Sequence, residues 1–427
     1  MRVLVICINY APEIISTGVY ATGMSEYLAR EGVETDVITA LPYYPAWRVF
    51  DGWRRPFWKA RTSENGARIV HCPIYVPKNP TGARRILHYI SFASAALPVA
   101  LWKGLSRRPD VVIIVVPSMI AAPVAWLTAR VSGAKAWLHI QDFEVEAAFA
   151  TGLLKEDSRI GRAAKIFESW ILQRFDRVST ISEPMLEKLR EKMVPTDRIY
   201  EFRNWANLEK VTPLTGPSPL KAELGIETEY VALYSGNLAN KQGLEVLPDM
   251  ARNLQHRDDV TIAICGDGPM RQPLQEMCKD VPSIRFFPLQ PLDRLSDLLG
   301  MADVHLLPQI ADAADLVLPS KLTNMLASGR PTLATTDENT ALGKEVLGAG
   351  RIVPAGDAKA MAKELDAMLN DSESRTRMGE VARTRALERW DMGSILSRLK
   401  NEFQSMSKAV TASSSAQPSL EDQRDTQ

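Results

Sequence analysis

Six consecutive β-branched residues, Val111-Val112-Ile113-Ile114-Val115-Val116, leave the chain few folds to adopt. Branching at Cβ favours extended backbone, and a run that is apolar on both faces fits a strand of a parallel sheet covered by helices on both sides. Pro117-Ser118 ends the run before a helix-compatible segment, so 111 to 129 reads as strand then helix rather than as a membrane span. The same alternation of short apolar strands with amphipathic helices occurs twice. In the first half, strands are expected at Val3 to Ile8, Thr35 to Thr39, Val111 to Val116, Ala136 to Ile140 and Arg177 to Ile181, with a helix from Gly18 to Arg30. In the second half they are expected at Val231 to Tyr234, Thr261 to Cys265, Ser283 to Phe286, Val304 to Leu307, Thr332 to Ala334 and Gly350 to Val353. Arg203 to Asn207, followed by Pro213, Gly216, Pro217 and Pro219, reads as a linker. The fold class is α/β, two doubly wound parallel-sheet domains, and 427 residues suit that count.

A hydrophobic share of 45% gives each domain a full core without staples. Cys7, Cys72, Cys265 and Cys278 are too far apart for a metal knuckle or a CxxC pair and are expected reduced and buried. The opening MRVLVICINYAPE lacks the apolar block and cleavage site of a secretory signal, so a cytoplasmic compartment is expected. The polar, Ser-rich stretch from Ser405 to Gln427 reads as disordered.

The zero net charge hides an asymmetry. Residues 1 to 205 carry 27 Lys plus Arg against 20 Asp plus Glu, a surplus of +7 that the remainder matches with −7. Between Arg48 and Arg108 the only acids are Asp51 and Glu64, and Trp47, Phe50, Trp53, Phe57, Trp58, Tyr89, Phe92 and Trp102 interleave with the bases. That mixture suits an anionic bilayer surface or a nucleic acid backbone, against the plainer reading of a solvated basic face. No nucleic-acid-binding motif accompanies it, so peripheral contact with an anionic membrane is expected and nucleic acid is not. The apolar stretch Ile86 to Trp102 is interrupted by Pro98 and flanked by Arg84, Arg85 and Lys103, which fits a helix at an interface or packed in a domain better than a spanning one.

Open α/β sheets bind ligands outside the carboxyl ends of their strands, and the glycine-rich motifs fall there. Ser235-Gly236-Asn237-Leu238-Ala239-Asn240-Lys241-Gln242-Gly243 leaves a strand and presents amides and a lysine ahead of a helix, a phosphate site or an ordinary glycine turn with a surface lysine. Leu318-Pro319-Ser320-Lys321-Leu322 opens a second helix, ending at Gly329, that Ser320 can cap. Lys321 opposes that helix dipole, which makes sense if a bound anion lies between the amine and the free amides, against the plainer reading of a solvated lysine at a helix start. Gly266-Asp267-Gly268-Pro269 leaves a third strand and allows close ligand approach. In the first half, Asn9 to Gly18 lacks GxGxxG spacing, which disfavours a dehydrogenase. Asp142 and Glu144 end a strand on the rim of the expected cleft, while His139 fits a hydrogen-bonded strand histidine better than a catalyst. GxSxG, HExxH and Walker A sequences are absent.

Taken together, these motifs resemble the family 4 glycosyltransferases of the GT-B fold, two Rossmann-like domains facing a central cleft, and among them the colanic acid and exopolysaccharide enzymes. Asn9-Tyr10-Ala11-Pro12-Glu13 with Thr17-Gly18, Pro42-Tyr43-Tyr44-Pro45 and Cys72-Pro73-Ile74-Tyr75-Val76-Pro77 carry the resemblance in the first half. The linker asparagine, Gly236 to Gly243, Gly266 to Pro269 and Leu318 to Pro331 carry it in the second. The resemblance implies an acceptor-side domain over 1–204, a donor domain over 205–389 and a helix over 390–404 that crosses back to the first domain. It implies retaining transfer of a sugar from a nucleotide-diphosphate donor to a polyprenyl-diphosphate-linked acceptor at the inner face of the plasma membrane, with no metal or other cofactor. Lys241 matches the family's phosphate-binding lysine, with Lys321 and Asp142 as the other catalytic candidates. Gly18, Gly236, Asn237, Gly266, Gly268, Ser320, Leu322 and Asn324 are the donor-binding candidates, and Glu13, His139 and Glu144 the acceptor-side ones. The sequence departs from the family twice: Asn237 stands where an arginine is usual, and Asn324 stands at the second glutamate of the EX7E motif, whose first falls at or beside Leu316 near Asp312 and Asp315. Lys321 is expected to replace the arginine's charge. A nucleotide-sugar 2-epimerase on the same fold and a noncatalytic subunit of an assembly complex are the competing readings.

Overall fold

The computed structural model describes residues 1–13, 17–53, 57–150, 155, 157–206, 208, 210–239, 242–310 and 320–415. The chain forms two units. Met1–Ile181, Leu186–Phe202 and the stretch from Leu396 make the first, and Ser182–Met185 with Arg203–Ile395 the second.

The first unit holds β1 (Arg2–Cys7), β2 (Glu34–Ala40), β3 (Lys59–Thr62), β4 (Arg68–Cys72), β5 (Val111–Val116), β6 (Lys135–Ile140), β7 (Arg177–Thr180) and β8 (Ile199–Glu201). Their order is β3-β4-β2-β1-β5-β6-β7-β8, parallel throughout except for the antiparallel β3–β4 pair. Val5 of β1 lies beside Val37 on one side and Ile113 on the other, and every residue of β5 is buried. β3, β4 and β8 are additions to the sequence reading. β3 (Lys-Ala-Arg-Thr) is mostly exposed and β8 has three residues, so neither carries the apolar run that marks a central strand.

Helices α1 (Thr17–Arg30), α2 (Gly82–Arg107) and α3 (Ala122–Ser132) belong to this unit. α2 is continuous through Pro98, which corrects the expected interruption. Pro98 faces solvent, so the carbonyl it leaves without a helical partner can bond water. The buried face of α2 carries Lys103, whose Nζ donates to Asp36 Oδ1 of β2 at 2.5 Å, while Arg68 donates to Asp36 Oδ2 at 2.8 Å. Both cations belong to the basic stretch of the sequence, yet neither adds to a surface patch. Lys103 is drawn inward, and Arg68, part-exposed, closes over the same carboxylate, because a buried carboxylate requires countercharge.

The second unit holds β9 (Tyr230–Ser235), β10 (Val260–Cys265), β11 (Ile284–Phe287), β12 (Val304–Leu307), β13 (Thr332–Thr335) and β14 (Gly350–Val353). The order β11-β10-β9-β12-β13-β14 is wholly parallel, and its winding reverses between β9 and β12. Leu233 of β9 lies beside Ala263 and His305 there. Such a reversal opens a crevice at the strands' carboxyl ends. The linker is pinned within this unit: Arg203 and Arg389 both reach Glu345, at 3.3 and 2.8 Å, and Ala206 N donates to Trp390 O at 3.0 Å.

The last helix, Met392–Ser415, belongs to the first unit from Leu396 onward. Phe403 meets Trp137 edge-on with centroids 5.0 Å apart, Glu402 pairs with Arg177 at 2.7 Å, and Lys400 pairs with Glu31 at 2.8 Å. Residues 405–415, read from composition as disordered, continue this helix. Met406 is buried one turn beyond Phe403, so packing carries the helix past 405 where composition alone would not. The remainder of that tail, 416–427, lies outside the described residues.

Candidate active site

Three loops meet at the carboxyl end of the second sheet, beside its reversal point. β9 runs into Gly236, at φ +131°, and β10 into Gly266 and Gly268. Backbone bonds stitch the two loops together: Gly236 N to Cys265 O at 3.0 Å, Leu238 N to Asp267 O at 2.9 Å and Met270 N to Leu238 O at 2.9 Å. A Cβ on Gly266 would stand 1.9 Å from Gly236 O, and one on Gly268 would stand 2.5 Å from Leu238 O and 2.7 Å from Asn237 Oδ1. These glycines are required first by the approach of one loop to the other. The third loop follows β12, where Gln309 exchanges bonds with Thr335 Oγ1 at 2.7 and 3.0 Å, and a Cβ on Gly243 would lie 2.9 Å from the Gln309 carbonyl carbon.

Lys321 enters this site from the first turn of the helix Ser320–Ala327. Its amine folds back onto the glycine loop rather than into solvent. Nζ donates to Tyr234 Oη at 2.9 Å and to Gln242 Oε1 at 2.7 Å, and sits 4.1 Å from the Tyr234 ring centroid. Tyr234 in turn donates to Asn237 O at 2.8 Å, which fixes the hydroxyl as an acceptor for the lysine. Burial with neutral partners pushes the Lys321 pKa down to about 7. No carboxylate faces it among the described residues. Sequence reasoning misses Tyr234 and Gln242, because a strand tyrosine and a loop glutamine announce nothing until the fold aims them at one amine.

The other donor-side candidates divide. Leu322 is fully buried with Met325 and Leu326 in the core, so its side chain is unavailable to a ligand and only its backbone lies at the helix start. Asn324 is partly exposed on the same helix. Lys241 lies outside the described residues, as do Asp312, Asp315, Leu316 and the Ser320 side chain. Among the described residues no group of three or more His, Cys, Asp or Glu is placed to hold a metal ion.

In the first unit, the acceptor-side candidates tie loops together. Glu13 Oε1 accepts from the amides of Tyr43 and Tyr44 at 2.7 and 2.8 Å, and its Oε2 accepts from Asn9 Nδ2 at 2.8 Å. Burial raises its pKa against the pull of those bonds. Glu144 accepts from Ser118 and Met119 amides at 2.9 and 2.6 Å, again with a pKa raised by burial. His139 is bonded through both ring nitrogens, to Ser179 Oγ at 2.9 Å and to the Gln141 amide at 2.8 Å, and burial lowers its pKa to about 3. It is a neutral strand histidine. Asp142 is exposed just beyond β6.

Gly18 contrasts with Gly266. A Cβ there would meet Tyr10 N at 3.4 Å and Asn9 at 3.5 Å, an ordinary contact, so Gly18→Ala should melt close to wild type. Gly266→Ala should lose about 3 kcal/mol or more, because backbone rather than a flexible side chain must move. Thermal melts of both variants check the pair, and equal melting temperatures would refute the loop geometry.

A model described as Glycosyl transferase 4-like domain matches residues 17–205, and one described as Glycosyl transferases group 1 matches 219–385. The Escherichia coli (strain K12) protein described as "Putative colanic acid biosynthesis glycosyl transferase WcaI" is 40% identical over 352 residues, 81% of this chain and 85% of that one. The chain belongs to the family 4 glycosyltransferases. Its type is that of the colanic acid-like exopolysaccharide enzymes, and its fold is GT-B. The glycosyltransferase is also 24% identical to D-inositol 3-phosphate glycosyltransferase of Corynebacterium urealyticum over 406 residues, 90% of each chain. Among solved structures, sucrose-phosphate synthase from Thermosynechococcus elongatus aligns with TM-score 0.74 at 16% identity, covering 96% of the glycosyltransferase and 99% of that chain. Anabaena Alr3699/HepE, solved in complex with UDP and glucose, aligns with TM-score 0.67 at 13% identity, covering 95% and 100%.

Proposed function

We propose that this glycosyltransferase moves a sugar from a nucleotide-diphosphate donor to a lipid-linked saccharide, with retention at the anomeric carbon and without a metal ion. The observation that carries the reading is Lys321: an amine held by two neutral groups beside a double glycine loop, where a diphosphate would supply a countercharge that none of the described residues supplies. As the bond from the anomeric carbon to the diphosphate breaks, negative charge grows on the leaving group. Amides and amines already in place lower that barrier because they need no reorganisation. Lys241 and Lys321 are proposed to clamp the diphosphate, with Gly236 and Asn237 holding it through backbone. Residues 205–389 would bind the donor and 1–204 the acceptor, with Asp142 the exposed acceptor-side carboxylate and Gly18 allowing close approach.

The bond of the acceptor hydroxyl to the anomeric carbon forms on the face the leaving group vacates, and the hydroxyl proton passes to the departing phosphate. A cytoplasmic, membrane-peripheral setting follows from a lipid-linked acceptor. The UDP and glucose bound by the Anabaena protein recommend UDP-sugars as the first donors to screen. The enzyme is incubated with a panel of nucleotide sugars and a detergent-dispersed bacterial lipid extract. Release of nucleoside diphosphate with label in the lipid is expected, whereas an altered free sugar nucleotide with unlabelled lipid would mean epimerisation and overturn the reading.

A further inference from the structure

We infer that the outward face of α2 is the surface by which this enzyme lies on an anionic phospholipid bilayer, in the plane of the interface rather than across it. The inference rests on the proposed lipid-linked acceptor and assigns the residues that would bring the enzyme to it. α2 has two faces. Phe92, Ala96, Ala100 and Lys103 are buried against the unit, with Lys103 bonded to Asp36. On the opposite side Leu87, Ile90, Trp102 and Leu105 are exposed by 51, 44, 62 and 62%. Ser94 and Pro98 are exposed between them, and the small Ser94 hydroxyl is the one polar side chain of the six. Intervals of three and four residues align all six in one stripe, about 27 Å long at the rise of an α-helix.

Two segments that touch α2 add exposed apolar side chains. Trp58 is exposed beside the middle of the stripe, where its Nε1 donates to Ala95 O at 3.0 Å, and Phe57, next to it in the chain, is exposed as well. α3 crosses α2 so closely that a Cβ on Gly104 would stand 2.9 Å from Thr128 Cγ2, and Leu127 and Val131 of α3 are exposed. A largely apolar surface of this kind is uncommon on a protein that keeps it in water.

Charge selects the occupant. α2 contains neither Asp nor Glu, and Arg84, Arg85, Arg107 and Arg108 are exposed at its two ends. An apolar stripe ending in cations at both termini, with Trp among its contacts, matches the boundary between anionic headgroups and acyl chains. A second copy laid on the same face would bring arginine clusters against arginine clusters. A spanning arrangement would require tearing Lys103 from Asp36 and the buried face from its sheet.

The test uses the full chain and vesicles of phosphatidylglycerol with phosphatidylethanolamine, compared with phosphatidylcholine alone. The enzyme should sediment with the anionic vesicles, less so at high salt, and alkaline carbonate should release it. The triple variant Ile90→Ser, Trp102→Ser, Leu105→Ser should partition about a hundredfold or more weakly, since each side chain loses its transfer into the acyl region. Its melting temperature and its thermal shift with UDP should stay those of wild type. Undiminished partition of the triple variant, absence of vesicle binding by wild type, or resistance to carbonate would overturn the assignment, as would self-association that the variant abolishes while vesicle binding persists. Vesicle binding by an enzyme that glycosylates only free saccharides would leave this surface standing and remove the lipid-linked acceptor. Glycosylation of lipid extract in detergent without vesicle binding would remove the surface alone.

Discussion

Replacing Lys321 with Ala should lower turnover by about two to three orders of magnitude, the usual effect of removing one preorganised group from a developing anion. The melting temperature should hold or rise. The amine is desolvated, its partners Tyr234 and Gln242 are neutral, and its pKa is about 7, so folding gains little from it. Such a residue makes sense as a receptor for charge that arrives with the donor. A diphosphate beside Nζ would favour the ammonium and raise its pKa. Between the free and bound values, binding takes up a proton, so affinity for UDP should weaken as pH rises above about 7. Titration calorimetry in two buffers of different ionisation enthalpy measures that uptake, and Lys321→Ala should abolish it. Lys241→Ala is expected to match it in turnover. A fully active Lys321→Ala enzyme would remove Lys321 from the proposed diphosphate clamp.

Asp36→Ala should destabilise the first unit by about 3–5 kcal/mol, since it strands a buried ammonium. Lys103 and Asp36 are both buried, 7 and 6% exposed at their side chains, and Arg68 completes the triad at 31%. Burial alone would raise the Asp36 pKa, but the bonds from Arg68 and Lys103 outweigh it and hold the carboxyl below its ordinary value of 3.8. A depressed pKa places the stabilisation above the unfolded value, and it is lost as pH falls through the folded one. Denaturant melts should therefore lose stability below about pH 4 in wild type and do so less steeply in Asp36→Ala. Asp36→Leu combined with Lys103→Met should recover most of the loss, because an apolar pair leaves no charge stranded. A fully stable single variant would mean that α2 is not held by this triad, and with it the orientation of the outward stripe would lose its anchor.

The central strands were legible because burial on both faces leaves a one-dimensional record: Val111 to Val116 and Val304 to Leu307 are buried throughout, and their bounds agree with the sequence reading. β3, with Lys59 and Arg61, has no such record, since an edge strand is half solvent. Glycine motifs located the loops at the carboxyl end of the second sheet but not the reason for the glycines. Gly266 and Gly268 read as room for a ligand, whereas the nearest atoms are Gly236 O and Leu238 O of the neighbouring loop. Glu13 and Glu144 read as site carboxylates by position, and the fold turns each onto backbone amides of loops that only tertiary structure brings near.

The amino-acid order by itself determined two parallel-sheet units, the loops at their carboxyl ends and a surplus of positive charge in the first, because hydrophobic periodicity, glycine and net charge are properties of local sequence. Only the tertiary structure decided which cations face water and which are committed to Asp36, and that Lys321 turns onto Tyr234. Desolvation and countercharge depend on atoms far apart in the chain, and no local pattern encodes the distance between them.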